Sequence, residues 1–312
     1  MMHSMKLATI LANILPMAAL LAPVALAQGT DYTKVEIKTT KITANFSTLE
    51  AQGPTGAVGG TMGVLSGPDG ILMVDANFAP MGDKVVAAVR KISNAPIRFL
   101  LNTHVHGDHT GGNEALAKQG AVIMARDELR FRLAHPAAAA NGTPGTPATA
   151  MALPLVTYRG QVTFHMDGED AEAIPILSAH TDGDTLVHFP NNDIIMTGDF
   201  FRSLGYPNID LANGGSLKGM LEGLGLTIGM AGPKTKIIPG HGVIVDRAGL
   251  TAHRDMILAI RDKIAPMVQQ GMTVEQVIAA KPTAEYDARV PTSDTTSERF
   301  IRQLYTELKT PK

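Results

Sequence analysis

The chain has 312 residues, a formal charge of −2 and a hydrophobic fraction of 45%, enough apolar material for one large core or two smaller ones. So balanced a charge gives no reason to expect nucleic acid or an acidic membrane surface as partner, and an aromatic content of 4% without tryptophan leaves few stacking platforms for bases or sugars. Zero cysteine excludes disulfides, thiolate metal ligands, iron–sulfur clusters and cysteine nucleophiles together.

In chain order, residues 1–27 read as a signal peptide. Lys6 precedes an apolar stretch that is broken by Pro16 and Pro23 and ends in Ala25, Leu26 and Ala27, the small-x-small pattern of a cleavage site. Cleavage before Gln28 predicts a secreted protein, periplasmic in a cell with two membranes and with no membrane association after cleavage. Two strands joined by a Gly-Pro-Asp-Gly turn are expected within residues 55–78. Val85, Val89 and Ile92 have helical spacing. "IRFLLNT" reads as a short buried strand that runs into "HVHGDH", "GGNEALAKQG" as a helix ending at Gly120, and "AVIMA" as another strand.

Residues 136–150 are an alanine- and proline-rich loop of undetermined role. "QVTFHM", "AEAIPIL", "DTLVHFP" and "DIIMTGD" form a run of strands; "SLKGMLEGLGLTIGMAG" is a helix; "TKIIPGHG" is a strand closed by a histidine between glycines. Three helices close the chain, one of them kinked or ended by Pro266 and one N-capped by Thr273. Strands in two batches, each followed by helices, predict an α/β fold: an αββα sandwich of two mixed sheets with helices on both outer faces, in one domain over 28–312.

Three of the ten histidines fall in the seven residues 103–109. Along an extended segment, side chains two apart point the same way, so His104 and His106 face one point, while Asp108 and His109, at the turn into the next helix, face a second. Imidazole plus carboxylate suits Zn²⁺, and also Fe or Mn. Two histidines need further ligands. His180, Asp199 and His241 each lie just past a predicted strand and are candidates to gather at one edge of the sandwich. His135, His165, His188 and His253, in a loop, two strands and a helix, are not expected to be ligands.

The set His104, His106, Asp108 and His109, followed in order by His180, Asp199 and His241 and supported by Asp75 at the end of "GILMVD", resembles the metallo-β-lactamase-fold superfamily over roughly residues 55–245. The resemblance implies a dinuclear site: His104, His106 and His180 on the first metal, Asp108, His109 and His241 on the second, Asp199 bridging. Asp75 would stand behind the metal loop and orient a histidine. An aspartate at position 199 is more like glyoxalase II and the acyl-homoserine lactone lactonases than the β-lactamases proper, which carry cysteine or serine there. A second departure follows His180: many relatives read Thr-Pro-Gly-His-Thr where this chain reads Thr181-Asp182-Gly183-Asp184-Thr185.

The expected activity is that of a dinuclear zinc hydrolase opening a small β-lactam, lactone or ester with a metal-activated water. Asp108 and Asp199 are the candidates for handling its proton, and Tyr206 and Asn208, in the loop after Asp199, for binding substrate. The alternatives on the same scaffold are a mononuclear iron enzyme similar to a persulfide dioxygenase and a thioesterase similar to glyoxalase II. No feature speaks to oligomeric state.

Overall fold

The computed structural model describes residues 30–138, 142–291 and 293–309. The expected signal peptide falls outside them. Every element named below lies in the unit formed by residues 32–312. Among the described residues no helix is long and apolar enough to cross a membrane.

The first sheet has eight strands: β1 (Glu36–Lys41), β2 (Phe46–Gly53), β3 (Gly56–Ala57), β4 (Met62–Gly67), β5 (Gly70–Val74), then, after helix α1 (Gly82–Ile92), β6 (Ile97–Leu101), and, after α2 (Gly107–Thr110) and α3 (Asn113–Ala117), β7 (Val122–Arg126), followed by α4 (Asp127–Ala134) and β8 (Val156–Tyr158). Its order is β1-β2-β4-β5-β6-β7-β8, with β3 paired to β2. The hairpin part is antiparallel and β5 to β8 are parallel. The second sheet holds β9 (Val162–Met166), β10 (Glu169–Pro175), β11 (Thr185–Phe189), β12 (Ile194–Met196) and, beyond helix α5 (Leu217–Met230), β13 (Lys236–Ile238), in the order β13-β12-β11-β10-β9. Four helices follow: α6 (Arg247–Gln269), α7 (Val274–Ala279), α8 (Ala284–Asp287) and α9 (Ser297–Lys309).

Three apolar layers make the sandwich. Side chains alternate across a strand, and β5 shows the consequence: Ile71 and Met73 pack outward with Val85 and Val89 of α1, whereas Leu72 and Val74 pack inward. The inner layer joins Phe46, Leu65 and Leu101 of the first sheet to Val187, Phe189 and Met196 of the second. The third layer seats Leu186, Ile195 and Ile237 under α5, α6 and α9 through Leu224, Ile257, Ile260 and Leu304. This is the αββα sandwich that the strand order predicts.

Some local expectations change. α6 runs on through Pro266 to Gln269. Proline removes one N–H, and the carbonyl it would have served belongs to exposed Asp262, where water can take over. The helix expected to reach Gly120 ends at Ala117. Thr273 is the N-cap of α7, in a capping box with Gln276. Helix α4 escapes a periodicity reading because Leu129 is its one buried residue among those described.

Candidate metal centre

The centre is built where parallel strand ends release the chain. After β6, the reciprocal amide pair Asn102–Asn113 (3.0 and 2.9 Å) ties the loop to α3. Thr103 then gives both its N–H and its hydroxyl to the Asp75 carboxylate, at 2.8 and 2.7 Å. Asp75 ends β5 in a left-handed conformation, φ 62°. With the loop so pinned, His104 points inward and His106, extended at φ −65° and ψ 149°, opens α2, which carries Asp108 and His109. The second sheet delivers the rest: His180 after β10, Asp199 after β12 and His241 after β13.

Two clusters result: His104, His106, His180 and Asp199 form one, and Asp108, His109 and His241 the other, each with one ligand-type atom per residue and all such atoms within 4.8 Å of one another. In the first, His106 Nδ1 lies 2.9 Å from His180 Nε2. In the second, His241 Nε2 lies 3.0 Å from Asp108 Oδ2 and 3.5 Å from His109 Nε2. Asp199 spans the two. Its Oδ2 is 3.8 Å from His180 Nε2, and its Oδ1 is 3.3 Å from His241 Nε2 and 3.4 Å from His109 Nε2. Such spacings suit donors held about 2.0–2.2 Å from a shared cation.

Four of the five histidines are anchored outside the clusters by their other ring nitrogen. His109 Nδ1 donates to Asp75 Oδ2 at 2.7 Å, His180 Nδ1 to the Asn208 carbonyl at 2.7 Å, His106 Nε2 to Asp210 Oδ2 at 2.7 Å, and His104 Nδ1 to the Thr103 hydroxyl at 3.1 Å. Each bond selects the tautomer that leaves a lone pair facing inward. His104 Nε2 is buried and has no hydrogen-bond partner among the described residues. A buried polar atom left so is costly; a cation between the imidazoles resolves it. The residues present therefore fit divalent metal. Glycine makes room at two places: a Cβ on Gly60 would overlap the His109 ring, and one on Gly240 would overlap Asp199 Oδ1.

The electrostatics divide the donors. Burial, reinforced by neighbouring His109, lowers His104 well below the ordinary histidine range, and burial with the charge of His106 lowers His180 to about 4. Burial also opposes charge on His109 and His241, but carboxylates overcome it: Asp108, Asp75 and Asp199 raise the first, Asp199 and Asp108 the second. In turn, Asp199 is driven well below the usual carboxylate range, its burial outweighed by His241 and His109. Asp108 falls to about 2 despite burial, chiefly through His109 and His241.

The departure after His180 has a clear structural role. The Asp184 carboxylate accepts from the N–H groups of His180 and Thr181 (2.6 and 2.9 Å) and from the Thr181 hydroxyl (2.6 Å). Burial lifts it to about 7 against those bonds. Asp182 takes a bidentate pair from Arg132 at 2.7 and 2.6 Å.

Tyr206, a substrate-binding candidate, stacks its ring on Phe300 and donates its hydroxyl to Asp287 at 2.6 Å, in the core layer that holds α9. Asn208 acts through its carbonyl on His180, while its side-chain oxygen accepts from Gln303. Two residues of this loop escape the sequence reading. Asp210 caps its own turn through Asn213 while holding His106. The buried Arg202 guanidinium reaches Asp199 Oδ2 at 3.4 Å and Asp294 at 3.1 Å; its i+3 spacing from Asp199 was the available signal. His135, His165, His188 and His253 belong to neither cluster.

A cleft of about 1030 Å³ opens over the centre, lined by Asp108, Asp199, Arg202, Asn208 and His241. Asp75→Asn keeps the size of the side chain but loses one acceptor. It is expected to weaken metal binding in the His109 cluster by ~10–100-fold, measured by competition with a chromophoric chelator. Unchanged affinity would remove Asp75 from the ligand-orienting set.

This fold and this arrangement of donors are those of one protein class. Residues 55–248 match the family model of the metallo-beta-lactamase superfamily, and the chain belongs to that superfamily. Among characterised relatives, it is 26% identical over 181 residues to the hydroxyacylglutathione hydrolase of Nitrosococcus oceani, covering 56% of this chain and 60% of that one. It is 20% identical over 287 residues to a linear primary-alkylsulfatase of a Pseudomonas species, covering 78% of this chain and 54% of that one. The match thus spans little more than half the length of either relative. Among solved structures, a metallo-beta-lactamase from Pontibacter korlensis superposes with a TM-score of 0.59 at 21% identity, over 72% of this chain and 99% of that one. The DIM-1 metallo-beta-lactamase gives 0.57 at 20%, over 72% and 98%. At such identities these two likenesses speak for the fold alone.

Proposed function

We propose that the protein is a metal-dependent hydrolase with a dinuclear, zinc-type centre that acts on a carbonyl compound such as a lactone, ester, thioester or β-lactam. The observation that carries this reading is His104 Nε2, buried and unpartnered among six further inward-facing donors. His104, His106, His180 and Asp199 would hold one ion, Asp108, His109 and His241 the other, with Asp199 shared. Bound divalent ions would supply Lewis acidity, which activates water near neutral pH and polarises a carbonyl.

The chain's own part is orientation and charge. Asp75, Asp210, Thr103 and the Asn208 carbonyl fix the imidazoles, so little reorganisation is needed when substrate arrives. Asp108, part-exposed in the cleft, is the group best placed to pass a proton to the leaving atom. Asp199 is too enclosed by histidines and Arg202 to serve as more than a ligand. The leader pattern of residues 1–27 supports export to the periplasm.

The test is a substrate panel of nitrocefin, a γ-lactone and p-nitrophenyl esters, run on metal-loaded wild type and on His106→Ala. Hydrolysis of at least one class, lost in the variant together with its metal, is the expected result. Full activity in the metal-poor variant sinks the mechanism.

A further inference from the structure

A second groove, of about 1010 Å³, opens beside the centre. It runs between α2, α3 and α4 and is walled beyond α4 by residues 136–138 and 146–149. His106, whose side chain is 27% exposed, is common to this groove and to the cleft over the metal ligands. Its partner Asp210 lines the second groove as well. A substrate carbonyl placed over the donors therefore has one arm in the cleft and can send the other past His106.

We propose that this groove is a substrate subsite for an uncharged, amide-rich chain, so that the substrate is an elongated acyl ester or thioester crossing the centre rather than a compact lactone or bicyclic lactam. The inference rests on the hydrolase reading above and narrows its substrate class. Size is the first argument. Each groove alone matches the upper range of small-molecule sites, roughly 300–1,000 Å³, and a compact ring would leave one of them unused. Charge is the second. Two cations on the wall are already matched, Arg132 by the bidentate contact with Asp182 and Lys118 by Glu114 at 2.8 Å. Neither calls for an anionic ligand.

Shape is the third argument. Val105, Ala115, Ala137, Pro147 and Ala148 give the groove a small-residue apolar lining interrupted by polar groups, with no Phe, Tyr or Trp to stack on a ring. The wall is tied in place: the Ala148 N–H donates to the Leu133 carbonyl at 2.9 Å, the Thr149 hydroxyl to Glu114 at 2.8 Å, and the Asn113 side-chain amide to the Ala152 carbonyl at 3.0 Å. Asn113 is also the residue that clamps Asn102 beside the metal loop, so wall and centre share an anchor. This gives the low-complexity segment a function in substrate binding.

The experiment compares p-nitrophenyl acetate with two extended series on the metal-loaded enzyme. One lengthens the acyl side with N-acetylated glycine oligomers; the other lengthens the leaving group with glycine-oligomer amides of 4-hydroxybenzoate. The quantity read is the ratio of kcat/KM for the longest ester to that of its parent. A ratio of about ten or more in one series, collapsing towards one in Ala148→Trp and Ala137→Trp with metal content retained, is the expected outcome. A ratio near one in both series, or a gain that neither tryptophan reduces, overturns the subsite while leaving the hydrolase reading intact. Chelator-sensitive opening of nitrocefin or a γ-lactone with no ester turnover also overturns the subsite alone; no chelator-sensitive turnover of any ester, lactone or β-lactam overturns the hydrolase reading, and the subsite falls with it.

Discussion

Asp199→Asn is expected to lower kcat/KM by about a thousand-fold or more, equivalent to roughly 4 kcal/mol of transition-state stabilisation. The substitution preserves volume and removes one charge from the point where both clusters meet. Without it, His109, His241 and Arg202 lose the carboxylate that all three approach within 3.4 Å. Two cations sharing a site would then repel with less compensation, and the second is expected to be lost first. Metal analysis and steady-state kinetics on the same preparation check this. A variant with wild-type turnover and full metal content would show that Asp199 is a structural aspartate.

Proton linkage provides the second large effect. In the metal-free protein burial opposes charge on His109 and His241, but the surrounding carboxylates raise both, which favours protons that a cation must displace. His104 and His180, lowered by burial, are already neutral. Any proton held by His109 or His241 should therefore leave as the centre is filled. Calorimetry in buffers of different ionisation enthalpy measures the number, and metal affinity should climb as pH rises. The stability of the metal-free chain moves the opposite way. A histidine raised above its unfolded value of 6.5 contributes its full stabilisation below that value and loses it as pH climbs through the raised one. Asp108, lowered to about 2, contributes above the ordinary aspartate pKa and loses that contribution as pH falls towards 2. Metal uptake with no proton release would mean that His109 and His241 are already neutral in the metal-free protein, and this linkage would fall.

The donors were legible in the chain because they follow a local rule: each sits at a strand end, where an apolar run stops and a glycine or turn begins. The spacing of residues 104–109 sorts four of them by the geometry of extended chain against helix. The outward-facing partners were harder. Asp75 was visible as the close of "GILMVD", but Asp210 reads as an ordinary turn residue, and nothing local reveals that its carboxylate crosses to His106. The orientation of Tyr206 was hidden for a related reason. Its loop was placed correctly near the centre, whereas the direction of one ring is set by α9, almost a hundred residues further on. Helix α4 and the groove beside it are likewise tertiary products, since their exposed residues leave no apolar period to read.

Metal quantification, on protein purified without added metal and then reconstituted, bears most directly on whether side chains from four segments converge on two cations. Two zinc-type ions per chain, ester or lactone hydrolysis abolished by chelation, and recovery on adding zinc are the expected results. A single tightly held iron with oxygen consumption on a persulfide, or hydrolysis indifferent to chelation, would contradict them.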